Sequence, residues 1–334
     1  MKSKLFLIVM LFIFVFQVGA QSESHLPDYS VSKIILSGDG TKLIVLGGLT
    51  QGITHEETLF HVDILDASTL EWITTYDILF SFVPYRFDAN PQATQFIYSA
   101  EYDQYLFDTA DQSVIQIAHS APASVGEVDW NPHDDRVARI DASAIFVTDF
   151  SDLSGVLLGG DVEGCSGLPS NAIWSTDGSL LATTRYDRLD ETTCIFIWDE
   201  EQLLSEDSVQ MTPARVIHDT GNTVFWSPSD RQIASFTTSS EITIYDTETA
   251  TANSSIELPS ETWWSLVWSP DETQIAVSTR KGIVVFDVET GEIVEVFEIE
   301  SATSLVWLPD IGIVHDGLGE GLYLNGERVT EPLN

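Results

Sequence analysis

Beyond residue 30, hydrophobic and polar positions fall into short runs, continuous or alternating, each closed by turn-forming residues. Ile195-Phe196-Ile197-Trp198-Asp199, Ile242-Thr243-Ile244-Tyr245-Asp246 and Ile283-Val284-Val285-Phe286-Asp287 are of this type. Short runs rich in β-branched and aromatic residues, bounded by Gly, Pro, Asn or Asp, predict β-strands. They recur in a fixed order. An apolar strand ends on a bulky anchor, and a Ser-Pro-Asp-Gly-like turn follows, in which Pro fixes φ and Asp or Gly tolerates tight geometry. A second apolar stretch comes next, such as Leu180-Leu181-Ala182 or Ile275-Ala276-Val277. The third strand closes on an aromatic residue or Leu followed by a polar one. A looser fourth, such as Glu292 to Phe297, leads into the next copy.

Two copies are nearly identical: Val224-Phe225-Trp226-Ser227-Pro228-Ser229-Asp230 and Leu266-Val267-Trp268-Ser269-Pro270-Asp271-Glu272, each followed by Gln-Ile-Ala. The full set of anchors reads Leu36, Phe87, Trp130, Trp174, Trp226, Trp268 and Trp307. Leu36 and Trp307 are 271 residues apart, so six intervals average about 45 residues, and seven such copies account for nearly all of the chain after residue 20. Four strands at that spacing are the plan of an all-β, seven-bladed β-propeller with four-stranded antiparallel blades. The blades are expected to begin near residues 31, 81, 124, 170, 222, 263 and 302. The units resemble WD repeats, and Trp198-Asp199 is a literal copy of the dipeptide that names them. The resemblance implies a propeller that holds partners and does not catalyse. No Gly-His dipeptide precedes a first strand, although His119 and His218 stand near that place, so most copies lack the His of the family's His–Asp–Ser/Thr–Trp support. Six-bladed Tol-type propellers share the Ser-Pro-Asp-Gly turn and are the related alternative. Two ways of closing the ring stay open. The last copy supplies its own third and fourth strands from Gly321 to Thr330, or Glu23 to Tyr29 lies over its edge.

The first residues read as a processing signal. Met1-Lys2-Ser3-Lys4 is basic, Leu5 to Phe16 is an unbroken apolar run, and Val18-Gly19-Ala20 supplies small residues before Gln21. That is the plan of a cleaved secretory signal at residues 1–20, with cleavage after Ala20. The run is short for the roughly 20 residues of a membrane span, which favours cleavage over an anchor. The expected location is secreted or periplasmic, with 21–334 as one propeller.

Charge narrows the partners. The chain has 14 Lys+Arg against 52 Asp+Glu, a formal charge of −38, and loss of Lys2 and Lys4 takes it to −40. Such acidity disfavours nucleic acid and anionic membrane, both of which recruit Lys and Arg. A hydrophobic content of 43% excludes a disordered acidic tail. In an oxidising compartment the two cysteines, Cys165 and Cys194, are most simply a disulfide. Closing a loop of that length contributes roughly 3–4 kcal/mol in the chain-entropy model. A two-cysteine metal site is the rival, without a His or further Cys at zinc-like spacing.

Catalytic and metal motifs are weak throughout. His55-Glu56-Glu57-Thr58-Leu59-Phe60-His61 places its histidines six apart, not the four needed on one helical face. Gly317-Leu318-Gly319-Glu320-Gly321 lacks the strand-to-helix setting of a nucleotide loop, and Gly164-Cys165-Ser166-Gly167 lacks nucleophile-elbow spacing. Bound calcium suits so acidic an exported chain, but no ligand set can be named and no cofactor is expected. Arg86 and Asp129 precede two consecutive anchors. An ion pair across the blade boundary is one expectation for them, and separate local hydrogen bonds the other.

What remains is a surface. Connections from second to third strands and from fourth to next first strands share one rim, with long loops at 47–58, 159–170 and 185–193. Tyr102, Arg185, Tyr186, Arg188, Trp263, Arg280 and Lys281 lie in or beside this rim, and aromatic residues with Arg are favoured interface anchors. The expected function is a monomeric, non-catalytic propeller that holds a protein or peptide partner there. The alternative is an exported hydrolase or lyase acting on a glycan or phosphoester, which needs carboxylates and a His or Arg converging at the channel mouth.

Overall fold

The computed structural model describes residues 30–48, 58–80, 86–100, 103–119, 125–141, 144–152, 154–159, 162–165, 167–187, 192–203, 209–210, 212–238, 240–259, 263–279, 282–299, 302–317 and 321–333. Its strands form seven antiparallel four-stranded sheets, the blades of a β-propeller. The first strands begin at Ser30, Arg86, Val125, Leu168, Phe225, Trp263 and Leu305. Blade 3 carries an additional strand. After one helical turn at Glu200–Leu203, the chain of blade 4 leaves its own sheet and lays Val209–Gln210 parallel to the outer strand Gly155–Leu158 of blade 3. It then returns to its own fourth strand, Arg215–Ile217.

Burial explains the apolar pattern. Second and third strands such as Gln274–Thr279 and Gly282–Asp287 are almost wholly buried, because each face of a blade packs on a neighbour. Outer strands such as Ile293–Phe297 are exposed, which makes the fourth run of each copy looser in sequence.

The turn after each anchor is a hydrogen-bonded unit. In blade 1 the Ser37 hydroxyl donates to Asp39 at 2.6 Å and accepts the Lys42 N–H at 2.9 Å, while the Gly40 N–H closes on the Ser37 carbonyl. Gly40 takes φ +71°, which suits glycine there. Ser175–Asp177 and Ser269–Asp271 repeat the arrangement. A second set of aspartates caps the turn between third and fourth strands. Asp66 accepts bonds from Ser68 and Thr69, Asp246 from Thr249 and Asp287 from Thr290. Many of the chain's acids are therefore turn acceptors.

Seven apolar clusters fill the seven blade boundaries, and all seven anchor residues lie in the cluster facing the preceding blade: Phe87, Trp130, Trp174, Trp226 and Trp268 as buried members, Leu36 and Trp307 as partly buried ones. Blade 2 corrects the sequence alignment. In blades 1 and 3 to 6 the anchor pairs across the hairpin with the residue seven positions on, as Trp130 does with Val137 and Trp268 with Ile275. In blade 2 that residue is Ala89, opposite Phe96, and not Phe87. The missing bulk comes from Phe96, where blades 1 and 4 have Leu43 and Leu181. Phe96 is fully buried between Phe87 and Phe107.

Among the described residues the ring closes without strand exchange. Blade 7 is built from its own strands, Leu305–Leu308, Gly312–His315, Tyr323–Leu324 and Glu327–Arg328. Its seam with blade 1 holds Val306, Leu308, Val314 and Leu322 against Val31, Ile34, Leu43 and Val45. The Ser304 hydroxyl accepts the Ile34 N–H at 2.9 Å and donates to the Ile34 carbonyl at 3.2 Å, and the Leu333 N–H reaches the Thr69 carbonyl at 2.7 Å. The segment Glu23 to Tyr29, like residues 1–20, lies outside the described residues.

Candidate functional site

First strands of neighbouring blades run beside one another, blade 7 with 1, 1 with 2, 2 with 3 and 3 with 4, and so form the inner wall of the ring. With blade 2 correctly aligned, the residue three before the anchor is polar in every copy: Lys33, Arg86, Glu127, Asn171, Thr223, Ser265 and Ser304. The residue after it is apolar in every copy. This inner column was missed in the sequence because the Phe87 alignment shifted blade 2 out of step by two residues.

Charge concentrates in blades 1 to 3 of that wall. Arg86 Nε lies 2.8 Å from Glu127, so the partner of Arg86 is Glu127 and not Asp129. The true equivalent of Asp129 is Asp88. The Asp88 carboxylate accepts the Trp130 backbone N–H at 2.6 Å, and Asp129 accepts that of Trp174 at 2.7 Å. These N–H groups sit on the free inner edge of a first strand, and the preceding blade satisfies them. Burial pushes the Asp88 carboxyl up to about 6 and also raises Glu127 and Asp129, with Arg86 and Lys33 opposing the shift at Glu127 and the charge of Asp88 adding to it at Asp129. At the boundaries between blades 4 and 5 and between blades 5 and 6, where the aspartate is lacking, the indole makes an inter-blade bond instead: Trp226 Nε1 donates to the Ile173 carbonyl at 3.1 Å and Trp268 Nε1 to the Phe225 carbonyl at 3.0 Å.

The rim that carries the Ser-Pro-Asp-Gly turns is belted. Asp230 accepts the N–H groups of Thr176 and Asp177, Glu272 accepts from Ser229, and Asn131 donates to the Gly178 carbonyl. Gly38 backs onto Pro132 so closely that a Cβ there would collide with its carbonyl, so the turns of blades 1 and 3 meet.

On the opposite rim, Arg185 and Tyr186 lie in the second strand of blade 4, Leu181–Asp187. Arg185 is not a free surface cation. It is 7% exposed, donates to the Gly167 carbonyl at 3.1 Å, and its guanidinium stands 5.5 Å from the Phe196 ring centre. Pairing opposite Cys194 in the blade interior turns it inward. Tyr186 stays 38% exposed and pairs with Leu168, at 59% one of the most exposed large apolar residues described. Leu168 was not singled out in the sequence. Its signal was an apolar residue opening a first strand directly after a glycine-rich loop. Trp263 opens the first strand of blade 6, opposite Thr279. Tyr102, Arg188, Arg280 and Lys281 lie outside the described residues.

Cys165 and Cys194 form a disulfide with Cα atoms 5.8 Å apart. It ties the turn at Val162–Cys165 to the third strand of blade 4. His218, distant in sequence, comes beside it. Its Nδ1 lies 3.2 Å from Cys165 Sγ and 3.7 Å from Cys194 Sγ. Sequence spacing placed no histidine near the pair; the fold does. Of the other histidine motif, His61 pairs with Asp77 at 2.6 Å, and His55 to Glu57 lie outside the described residues. Trp198 Nε1 donates to Thr183 Oγ1 at 2.9 Å, a bond like the Ser/Thr–Trp link of the WD-type support. Among the described residues no helix is long and apolar enough to cross a membrane. A scan against protein-family models finds no match and a search of curated proteins finds no similar sequence, so WD or Tol-type kinship stays a resemblance in repeat and fold.

Proposed function

We propose that this protein is an exported, non-catalytic propeller that holds a protein or peptide partner on the rim opposite its belted turns. The observation that carries this reading is the Leu168–Tyr186 pair, apolar and aromatic side chains left exposed at the mouth of a rigid ring. A rigid scaffold presenting an aromatic–aliphatic pair lowers the entropy cost of binding, and such pairs are where interface energy concentrates. The test is capture from the extracellular fraction of the source by the mature chain, with and without calcium, compared with Leu168→Ser/Tyr186→Ser. Loss of the same captured protein at unchanged melting temperature supports the rim. Equal capture by the variant overturns it.

A second reading has one observation in its favour. Arg86, Asp88, Glu127 and Asp129 place three carboxyls of raised pKa on the channel wall, the setting expected of a hydrolase or lyase. Each of these acids already serves an inter-blade bond, which supports the structural role. Turnover of aryl glycosides or aryl phosphodiesters that Glu127→Gln abolishes would establish the enzyme instead.

A further inference from the structure

We propose that Cys165, Cys194 and His218 are a soft-metal site which the disulfide keeps closed and reduction opens. The proposal does not depend on the binding rim. The three residues come from separate segments: the turn at Val162–Cys165, the third strand of blade 4, and the residue following its fourth strand. Their ligand atoms all lie within 4.8 Å of one another. In a tetrahedral site, Zn–S of about 2.3 Å and Zn–N of about 2.0 Å set sulfur and nitrogen about 3.5 Å apart. The observed separations of 3.2 and 3.7 Å straddle that value, so the imidazole already stands at ligand spacing from both sulfurs. Only the sulfurs must move, from a covalent bond to about 3.8 Å apart in the same geometry. Cα atoms at 5.8 Å leave that to rotation of the two side chains. Both cysteines are buried while His218 is exposed, so the histidine gives the site its access to solvent.

The chemistry balances with one co-reactant, a dithiol. It passes two electrons to the Cys165–Cys194 bond, becoming a cyclic disulfide and leaving two cysteine thiols. A divalent soft cation such as Zn²⁺ then displaces one proton from each thiol and takes the neutral imidazole nitrogen as a third ligand. With three protein ligands the fourth position is left to water or an external donor.

Cobalt(II) is the probe. The mature chain is reduced with a dithiol, freed of it under nitrogen, and titrated with Co²⁺. A thiolate-to-cobalt band in the near ultraviolet and tetrahedral visible bands are expected, discharged by Zn²⁺. The oxidised chain should show neither. Cys194→Ser should lose the signal, and His218→Ala should weaken binding at least about tenfold while leaving the oxidised fold unchanged. Absence of the bands on the reduced chain, or equal affinity in His218→Ala, overturns the proposal. Circular dichroism accompanies each step. If reduction unfolds the metal-free chain, Zn²⁺ should refold it in the parent and not in His218→Ala; failure to refold the parent also overturns the site.

Discussion

At Asp88 a carboxylate is held where water is largely excluded, and the backbone N–H groups of Trp130 and Ala89 and the charge of Lys33 only partly offset that burial. Burial therefore lifts its carboxyl to about 6, against the 3.8 of an ordinary aspartate. A group raised on folding contributes stability that is fully present below its unfolded value and is lost as pH rises through its folded one. The charged groups around it, Asp129, Glu127, Lys33 and Arg86, share this behaviour or temper it. The turn aspartates have the opposite sign. Asp39 and Asp177 are held below the ordinary value by hydroxyl and N–H donors that outweigh partial burial, and Asp66, Asp246 and Asp287 by such donors directly. Their contribution is present above that value and is lost as pH falls through their lowered ones. Melting temperature should accordingly climb by a few °C as pH falls from about 7 to 5, then decline below about 4. Asp88→Asn, which keeps an acceptor and removes the buried charge, should raise the melting temperature near pH 7 and flatten the climb. An unchanged slope in that variant would remove Asp88 as its source.

At the scale of the strand, bulk and register disagree once, and register wins. The sequence offers Phe87 as the blade 2 anchor because it has the bulk of the other anchors, yet hairpin pairing assigns the place to Ala89, facing Phe96. The volume was moved across the hairpin. Phe96→Ala should therefore cost about 3–5 kcal/mol in denaturant unfolding, and adding Ala89→Leu should recover part of it through a favourable coupling. Strict additivity of the two changes would show that they do not share one space. The same slip accounts for what was and was not legible. Blade number and turn chemistry followed from local patterns that every copy repeats. The inner polar column needed all seven copies in phase. The inward turn of Arg185 depended on the hairpin register that sets it opposite Cys194, and the meeting of His218 with the disulfide on contact between distant segments; neither leaves a periodic trace.

At the scale of the ring, the described strands of blades 7 and 1 each come from consecutive chain, so the seam between them must be held by packing and a few hydrogen bonds. A strand exchanged between termini would have tied it with a ladder. Here Ser304 does that work from the inner column, bonding both the N–H and the carbonyl of Ile34 with one hydroxyl, beneath the cluster formed by Val306, Val314, Ile34 and Val45. The formal charge of −38 acts against closure, since like charges spread around a ring repel most weakly when it opens. Ser304→Ala leaves two buried backbone groups of blade 1 without this partner and should cost about 2–3 kcal/mol. Ser265 stands at the equivalent place in blade 6, where the Ser278 hydroxyl engages its backbone N–H and carbonyl, so Ser265→Ala should cost less than about 0.5 kcal/mol. Native-state hydrogen exchange should show protection falling first in Ser30–Leu36 and Leu305–Leu308 of the Ser304 variant, before any loss in blades 4 and 5. Added salt should narrow the gap between the variant and its parent by screening the repulsion that opens the seam. Uniform loss of protection around the ring would mean that the propeller unfolds as one unit and that the seam is no weaker than any other boundary.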